Sequence, residues 1–220
     1  MLTLPPGMRV LAAVVLCVAS TASAAPKLAS HYAPLFEKGR TWTYDLAITN
    51  FDYVETKAGT YKSKKMKPEV STFTCSVTAV VAFPEAVVST IQCDREIDTA
   101  YSFRVDGTWI ATKAGVWRAG DAIDKLPASA AEVELIAAPP MRANPQVRSK
   151  RTKDDFGGYY TESVTSPRKG TWCTHSDTTK SGIGDGAIET VCFAAGKGVS
   201  RGLFDYYGGT PRIVEYTLAK

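Results

Sequence analysis

Two adjoining stretches decide the fold class: VSTFTCSVTAVVAF at residues 70–83 and EAVVSTIQCDRE at residues 85–96. Apolar residues and cysteines recur at every second position in both. This spacing is typical of β-strands that bury one face. Pro84 separates the two stretches, and proline interrupts a strand because it cannot donate to the ladder. The sequence therefore predicts an antiparallel hairpin that turns at this proline.

The predicted hairpin has a definite register. A turn centred on Pro84 places Cys75 opposite Cys93. Directly opposed residues of antiparallel strands are close enough for a disulfide bond. The same register pairs Val77 with Ile91 and Val81 with Val87.

A second pair of cysteines is arranged in the same way. TWCTHSDT at residues 171–178 and IETVCFA at residues 188–194 flank a loop whose midpoint lies midway between Cys173 and Cys192. The sequence has five cysteines, and we expect Cys17 to be removed with the N-terminal signal peptide. The other four allow three connectivities, and the patterning selects Cys75–Cys93 and Cys173–Cys192. A four-cysteine zinc site is the competing interpretation, but it would need a C-x-x-C pair, which the sequence lacks.

The chain opens with the features of a secretory signal peptide. Arg9 supplies a positive charge, residues 10–19 form a short apolar run, and Ala22–Ala24 is a small-x-small cleavage site. The run is far shorter than the roughly 20 residues of a membrane-spanning helix. We expect cleavage between Ala24 and Ala25, and a periplasmic or secreted location, where disulfides form.

Composition limits the classes of partner. The 220-residue chain has a formal net charge of +4, and no stretch after the signal peptide approaches membrane-spanning length. A charge this small favours no nucleic-acid partner. We expect one β-rich secreted domain at residues 25–220, with no transmembrane segment.

Most of the chain after Arg40 is patterned as strands, so the predicted class is mainly β with antiparallel pairing. Asp106–Gly107 is the strongest signal for a two-residue hairpin turn. One short helix is predicted at Ser129–Ala137, because Ser129 suits an N-cap and Pro139–Pro140 stops a helix.

The glycines of Ala195–Gly202 invite comparison with a phosphate-binding loop. They follow the pattern G-x-G-x-x-x-G, and the residues after them are β-prone. A phosphate site of this kind needs the free amide groups of a helix that begins directly after the glycines. We therefore interpret the segment as a tight turn between strands, and we predict no cofactor.

His175 is the only histidine in the strand-rich body, since His31 lies near the N-terminus. On a strand, His175 and Asp177 share a face while Ser176 points the other way. These three side chains therefore cannot form a serine catalytic triad. Cys173 is assigned to a disulfide, which removes a thiol nucleophile. We predict no catalytic or metal site and interpret His175 as an exposed strand residue, with a hydrolase as a remote alternative.

Basic residues form two groups in segments predicted as loops. Solvated loops are the ordinary interpretation of such groups, and contact with an anionic lipid or polymer is the alternative. The first group is Lys57, Lys62, Lys64, Lys65 and Lys67, and the second is Arg148, Lys150, Arg151 and Lys153.

Aromatic residues recur through the predicted strands. Core packing is their ordinary role, but apolar ligand pockets are lined by the same residue types. The candidates for lining a cavity beneath a curved sheet are Trp42, Tyr44, Trp109, Trp117, Phe193 and Phe204.

Three stretches resemble segments of uncharacterised exported bacterial proteins: Glu189–Arg201 with its FAAGKGV strand-turn motif, Pro167–Cys173, and Phe36–Tyr44. The resemblance implies a curved antiparallel sheet, either a half-barrel or an open barrel, like that of lipoprotein carriers. It implies a cavity for something apolar and supplies no catalytic residues.

These observations predict an exported, non-enzymatic envelope protein that binds a lipid or another apolar small molecule under a curved β-sheet. The alternative is a structural or interaction module that contacts an envelope protein through the basic loops.

Overall fold

The computed structural model of the protein describes residues 27–95, 97, 105–113, 115–119, 135–137, 147–182 and 184–220, with the backbone alone at residues 119 and 135–137. The predicted signal peptide, residues 1–24, lies outside these ranges.

Within the described residues the chain forms thirteen β-strands and one short 3-10 helix, Ala33–Phe36. The strands are β1 Thr41–Glu55, β2 Tyr61–Lys65, β3 Glu69–Ala82, β4 Ala86–Cys93, β5 Gly107–Thr112, β6 Gly115–Ala119, β7 Leu135–Ala137, β8 Arg148–Lys153, β9 Tyr159–Arg168, β10 Thr171–Asp177, β11 Ala187–Ala194, β12 Gly198–Tyr206 and β13 Arg212–Leu218. The mainly β class is confirmed.

One curved, unclosed antiparallel sheet contains all of these strands. Its order is β7-β6-β5-β4-β3-β1-β13-β12-β11-β10-β9-β8, and β2 pairs with β1 beside this path. Strands β1 and β13, the first and last in the described residues, meet at the centre, where Tyr44 pairs with Leu218. The remaining strands extend outward on both sides as hairpins, which explains why local alternation predicts so much of the pairing.

The first cysteine hairpin has the predicted register at one end only. Cys75 pairs with Cys93 and Val77 with Ile91, as expected. Val81 instead pairs with Val88, not Val87, because a β-bulge lies between Val77 and Ala79. A bulge inserts one unpaired residue and reverses the faces beyond it, so Val80 packs against the core where Val81 was expected.

Both predicted disulfides are present, Cys75–Cys93 and Cys173–Cys192. Each joins directly paired residues of neighbouring antiparallel strands. Such bonds persist in oxidising compartments outside the cytoplasm.

The glycine segment is a plain turn between β11 and β12. Ala194 pairs with Gly198, and the Lys197 N–H donates to the Ala194 carbonyl at 3.0 Å. Gly196 and Gly198 have φ of 72° and 79°, which glycine adopts without steric cost. The strand β12 follows directly, so the predicted interpretation as a turn is confirmed.

Two further local predictions are wrong. Gly107 is no hairpin turn, because it begins β5 and pairs with Ile91 of β4. The predicted helix Ser129–Ala137 ends in a strand, since Leu135–Ala137 forms β7 on the edge of β6. Pairing with an available edge overrides weak helix propensity there. The earlier part of that helix lies outside the described residues.

The curvature brings strands together that are distant within the sheet. Trp109 of β5 and Phe193 of β11 are six strand steps apart, which would separate them by roughly 29 Å in a flat sheet. Their ring centroids lie 6.1 Å apart. The sheet is therefore rolled around an interior, and we call the side that bears these two rings the inner face.

The N-terminal segment covers part of that inner face. The 3-10 helix contacts β3, β4 and β12, and the Tyr32 ring lies 5.1 Å from that of Phe193. A Cβ atom at Gly198 would meet Leu35 at 3.4 Å and Trp42 at 3.5 Å. Glycine at this position thus allows the helix to pack closely on the sheet.

Candidate functional site

The structure brings five of the six predicted lining residues together. Their side chains are buried in the same inner-face core: Trp42, Tyr44, Trp109, Phe193 and Phe204. Trp117 is only half-buried and lies apart from them. Its neighbour Val116 is a core residue, so the alternation of the strand points Trp117 to the outer face, where it pairs with Ile110.

Aromatic rings pack against one another through this interior. Tyr44 stacks on Phe73 at a centroid distance of 5.0 Å and meets the edge of Tyr216 at 5.2 Å. Tyr32 and Tyr216 were missed as candidates from the sequence. Alternation in RIVEYTL could have indicated Tyr216, whereas Tyr32 precedes the strands and only the rolled sheet places it here.

Backbone carbonyls hold the polar atoms of three of these aromatic side chains. The indole N–H of Trp42 donates to the Lys197 carbonyl at 2.6 Å, and that of Trp109 donates to Val105 at 2.8 Å. The Tyr44 hydroxyl donates to the Val199 carbonyl at 3.0 Å. Burial, with the nearby Tyr216, raises the pKa of Tyr44 well above its usual value. These rings therefore have fixed orientations.

An ionisable pair faces the same interior and was not predicted. Val191 of β11 packs against the core, and Glu189 lies two residues before it on the same strand. Because every second residue of a strand faces the same side, Glu189 also points inward. Arg118 of β6 is 3% exposed and pairs with the inward Trp109. Its Nη1 donates to the Asp106 carbonyl at 3.0 Å. Burial raises the pKa of Glu189 to about 7, and the Arg118 guanidinium partly opposes this shift.

The raised pKa of Glu189 predicts a pH-dependent stability. Its pKa of about 7 in the folded state lies above the ordinary 4.5, so the folded state binds more protons between these values. This contribution is complete below about pH 4.5 and is lost as the pH rises to 7, with a slope of at most about 1.4 kcal/mol per pH unit. The free energy of unfolding, measured in urea at pH 5 and pH 7.5, should therefore lose this pH dependence in the Glu189→Gln variant.

Glu215→Gln is the matched control, because the Glu215 side chain is 40% exposed and pairs with Arg201 at 2.8 Å on the outer face. This variant should keep the wild-type pH dependence. If Glu189→Gln also kept it, the carboxyl would not be the titrating group.

His175 joins three strands through two hydroxyl groups. Its Nε2 lies 2.7 Å from the Thr165 hydroxyl, and its Nδ1 lies 2.8 Å from that of Thr190. It is half-buried rather than exposed as predicted, and burial, followed by Arg201, lowers its pKa. Both nitrogens are engaged by threonines of β9 and β11, which fits a cross-strand structural role.

The two basic groups lie largely on strands, so the prediction of loops is wrong for both. Strand β8 carries Arg148 to Lys153 at one end of the sheet, where charged residues discourage pairing with other chains. Arg151 also lies over the Tyr159 ring at 3.1 Å. Strand β2 carries Lys62, Lys64 and Lys65.

Strand β2 and the end of β1 form a projecting ribbon, residues 51–67, which we call the arm. Its five residue pairs run from Phe51–Lys65 to Glu55–Tyr61. Pairing of β1 with β3 ends at Ile48, and pairing with β13 ends at Asn50. The arm therefore extends past the end of the main sheet.

Two surface pockets lie away from the predicted aromatic residues. One, of about 490 Å³, opens on the outer face beside the arm, between Asp45, Val70 and Glu215. The other, of about 430 Å³, includes Asp154. The Asp154 carboxylate accepts hydrogen bonds from backbone N–H groups of Phe156, Gly158 and Gly182. These bonds tie two loops together and occupy the carboxylate.

Among the described residues, no group of three or more histidine, cysteine or acidic side chains is placed to hold a metal ion. In the same ranges, no helix has the length and apolar character needed to cross a membrane.

Comparison with protein-family models, with curated proteins and with solved structures gave no significant match for this chain.

Proposed function

We propose that the protein is an exported, non-enzymatic envelope protein that binds a lipid or another apolar molecule on the inner face of its curved sheet. The observation that carries this proposal is the combination of buried aromatic rings with the ionisable Glu189 and Arg118 on one interior surface. Burying charged groups in an apolar interior is costly. Such groups are concentrated at functional sites.

The same pair suggests the chemistry of the ligand. An apolar tail would lie against the aromatic rings of the inner face. A carboxylate or phosphate head would lie near Arg118 and could accept a hydrogen bond from a protonated Glu189. A fatty acid is the simplest molecule with these parts, so it is a suitable probe.

The location and origin are part of the proposal. Cleavage of residues 1–24 would release the domain into an oxidising compartment, where the two disulfides form. The three stretches that resemble exported bacterial proteins support the same location and a carrier-like half-barrel.

A fluorescent fatty acid provides the test. We expect saturable binding at one site per molecule, and native mass spectrometry of protein purified from envelopes should show a lipid-sized adduct that organic extraction removes. Arg118→Met should weaken binding at least 10-fold, while Arg201→Met, on the outer face, should leave it unchanged. Near-UV circular dichroism checks that each variant is folded.

Absence of both the adduct and saturable binding would contradict the proposal. If Arg118→Met did not fold, Glu189→Gln, which keeps shape and removes the charge, would take its place. Unchanged binding by both folded variants would show that the pair does not hold the ligand.

The second candidate is an interaction module that acts through basic residues. The exposure of the arm favours it, since each residue of β2 is exposed. A pull-down from envelope extracts with Lys62, Lys64 and Lys65 changed to alanine would test this candidate. An unchanged set of partners would remove the arm from consideration.

A further inference from the structure

The arm concentrates exposed apolar side chains. Eight large hydrophobic residues in the described part of the chain are exposed, and five of them belong to the arm or to its junction with β3: Tyr53, Val54, Tyr61, Met66 and Val70. Tyr61 is 71% exposed and Val70 is 78% exposed. Clustered exposed apolar residues mark interaction sites, whereas scattered ones do not.

The arm also concentrates positive charge. Residues 51–67 contain five lysines against Asp52 and Glu55, which gives a formal charge of +3 within a chain whose total is +4. Lysine side chains extend beyond a ribbon while their methylene stems cover neighbouring apolar surface. Charge and apolar area are therefore presented together.

The two faces of the ribbon differ. The register places Phe51, Tyr53, Tyr61 and Lys65 on one face, and Asp52, Val54, Lys62 and Lys64 on the other. One face of a ribbon roughly 17 Å long is therefore mainly aromatic, while the other carries more of the lysines. The headgroup layer of a membrane accepts tyrosine rings and lysine side chains from both faces of a ribbon that enters it.

Deepening the second candidate function, we propose that the arm docks on the surface of an anionic lipid bilayer. The lysines would lie among the acidic headgroups, which attract basic segments next to a membrane. Tyr53 and Tyr61 would lie at the headgroup level, the depth that tyrosine prefers. Val54 and Met66 would add apolar contact with the outermost part of the acyl chains.

Vesicle sedimentation tests this assignment with the exported protein. Vesicles of phosphatidylcholine with 30% phosphatidylglycerol are compared with vesicles of phosphatidylcholine alone. We expect binding to the anionic vesicles to be at least 10-fold stronger and to weaken with added salt. The combined variant Lys62→Ala, Lys64→Ala, Lys65→Ala should lose at least 10-fold, and Tyr53→Ser with Tyr61→Ser should also weaken binding.

The matched control removes the same charge elsewhere: Arg148→Ala, Lys150→Ala, Lys153→Ala on β8. This variant should change binding less than twofold. Equal losses for the two triple variants, or equal binding to neutral and anionic vesicles, would overturn the proposal. Failure to bind either vesicle, with capture of one envelope protein that depends on the arm lysines, would overturn it in favour of a protein partner.

A soluble polyanion separates a lipid surface from charge alone. Heparin should compete weakly, because it offers no apolar layer for the tyrosines. Binding to heparin that is as strong as binding to anionic vesicles, and that is unaffected by the tyrosine changes, would overturn the lipid assignment. Glu189→Gln should bind vesicles as the wild type does, so failure of the interior ligand site can be distinguished from failure of the arm.

Discussion

Trp109→Ala is expected to lower the free energy of unfolding by about 3–5 kcal/mol. Trp109 is 3% exposed, lies against Phe193 on the opposite side of the rolled sheet, and donates its indole N–H to the Val105 carbonyl. Removing it leaves a cavity between strands that are not neighbours in the sheet. It also removes the partner of a backbone carbonyl. Equilibrium unfolding in urea measures the loss.

Two variants separate these contributions. Trp109→Phe keeps most of the ring but loses the hydrogen bond, so we expect a smaller loss of roughly 1–2 kcal/mol. Tyr61→Ala also removes an aromatic side chain, but an exposed one, and should change the free energy of unfolding by less than about 0.5 kcal/mol. If Trp109→Ala were as mild as Tyr61→Ala, Trp109 could not be packed inside the sheet.

Loss of the Cys75–Cys93 disulfide is expected to destabilise the fold by about 3 kcal/mol. The bond closes a loop with a sequence separation of 18, and constraint of the unfolded chain accounts for an effect of this size. Cys75 is also fully buried in the inner-face core. We therefore expect the combined Cys75→Ala, Cys93→Ala variant to lose both the constraint and some packing. Urea unfolding gives the change in midpoint.

The second disulfide is the natural comparison. Cys173–Cys192 has a similar separation of 19, yet neither cysteine belongs to the main core cluster. The combined Cys173→Ala, Cys192→Ala variant should therefore lose a similar stabilisation from the constraint on the unfolded chain, but less stabilisation from core packing. A reduced wild-type protein that unfolded at the same midpoint as the oxidised protein would contradict both expectations.

The cysteine hairpins could be predicted from the sequence because each depends on a local signal. Alternation over a few residues fixes the buried face, and a turn midway between two cysteines fixes the pairing. The bulge after Val77 was not predictable in this way. No glycine or proline marks its position between Val77 and Ala79.

The candidate site was only partly predictable for a related reason. Aromatic residues at inward positions of single strands were visible, and five of the six lie together in the interior. The pairing of Glu189 with Arg118 was not visible, because β11 and β6 meet only through the curvature of the whole sheet. Trp117 was wrongly predicted to line the interior for a simpler reason. It directly follows the inward Val116, and adjacent residues of a strand point to opposite faces.

The basic segments show the limit of composition. Runs such as YKSKK are polar enough to resemble loops, yet they form exposed ribbons and edges where lysine suits a strand that must not aggregate. Their charge was read correctly, and their secondary structure was not.

The rolled sheet is tested most directly by nuclear Overhauser spectroscopy of the oxidised protein with selectively labelled tryptophan and phenylalanine. Cross-peaks between the Trp109 indole and the Phe193 ring are expected, since the two centroids lie 6.1 Å apart, and they should disappear in Phe193→Leu. If β5 and β11 instead belonged to a flat sheet, the rings would be too far apart for any cross-peak. That result would contradict the shared interior on which the ligand proposal depends.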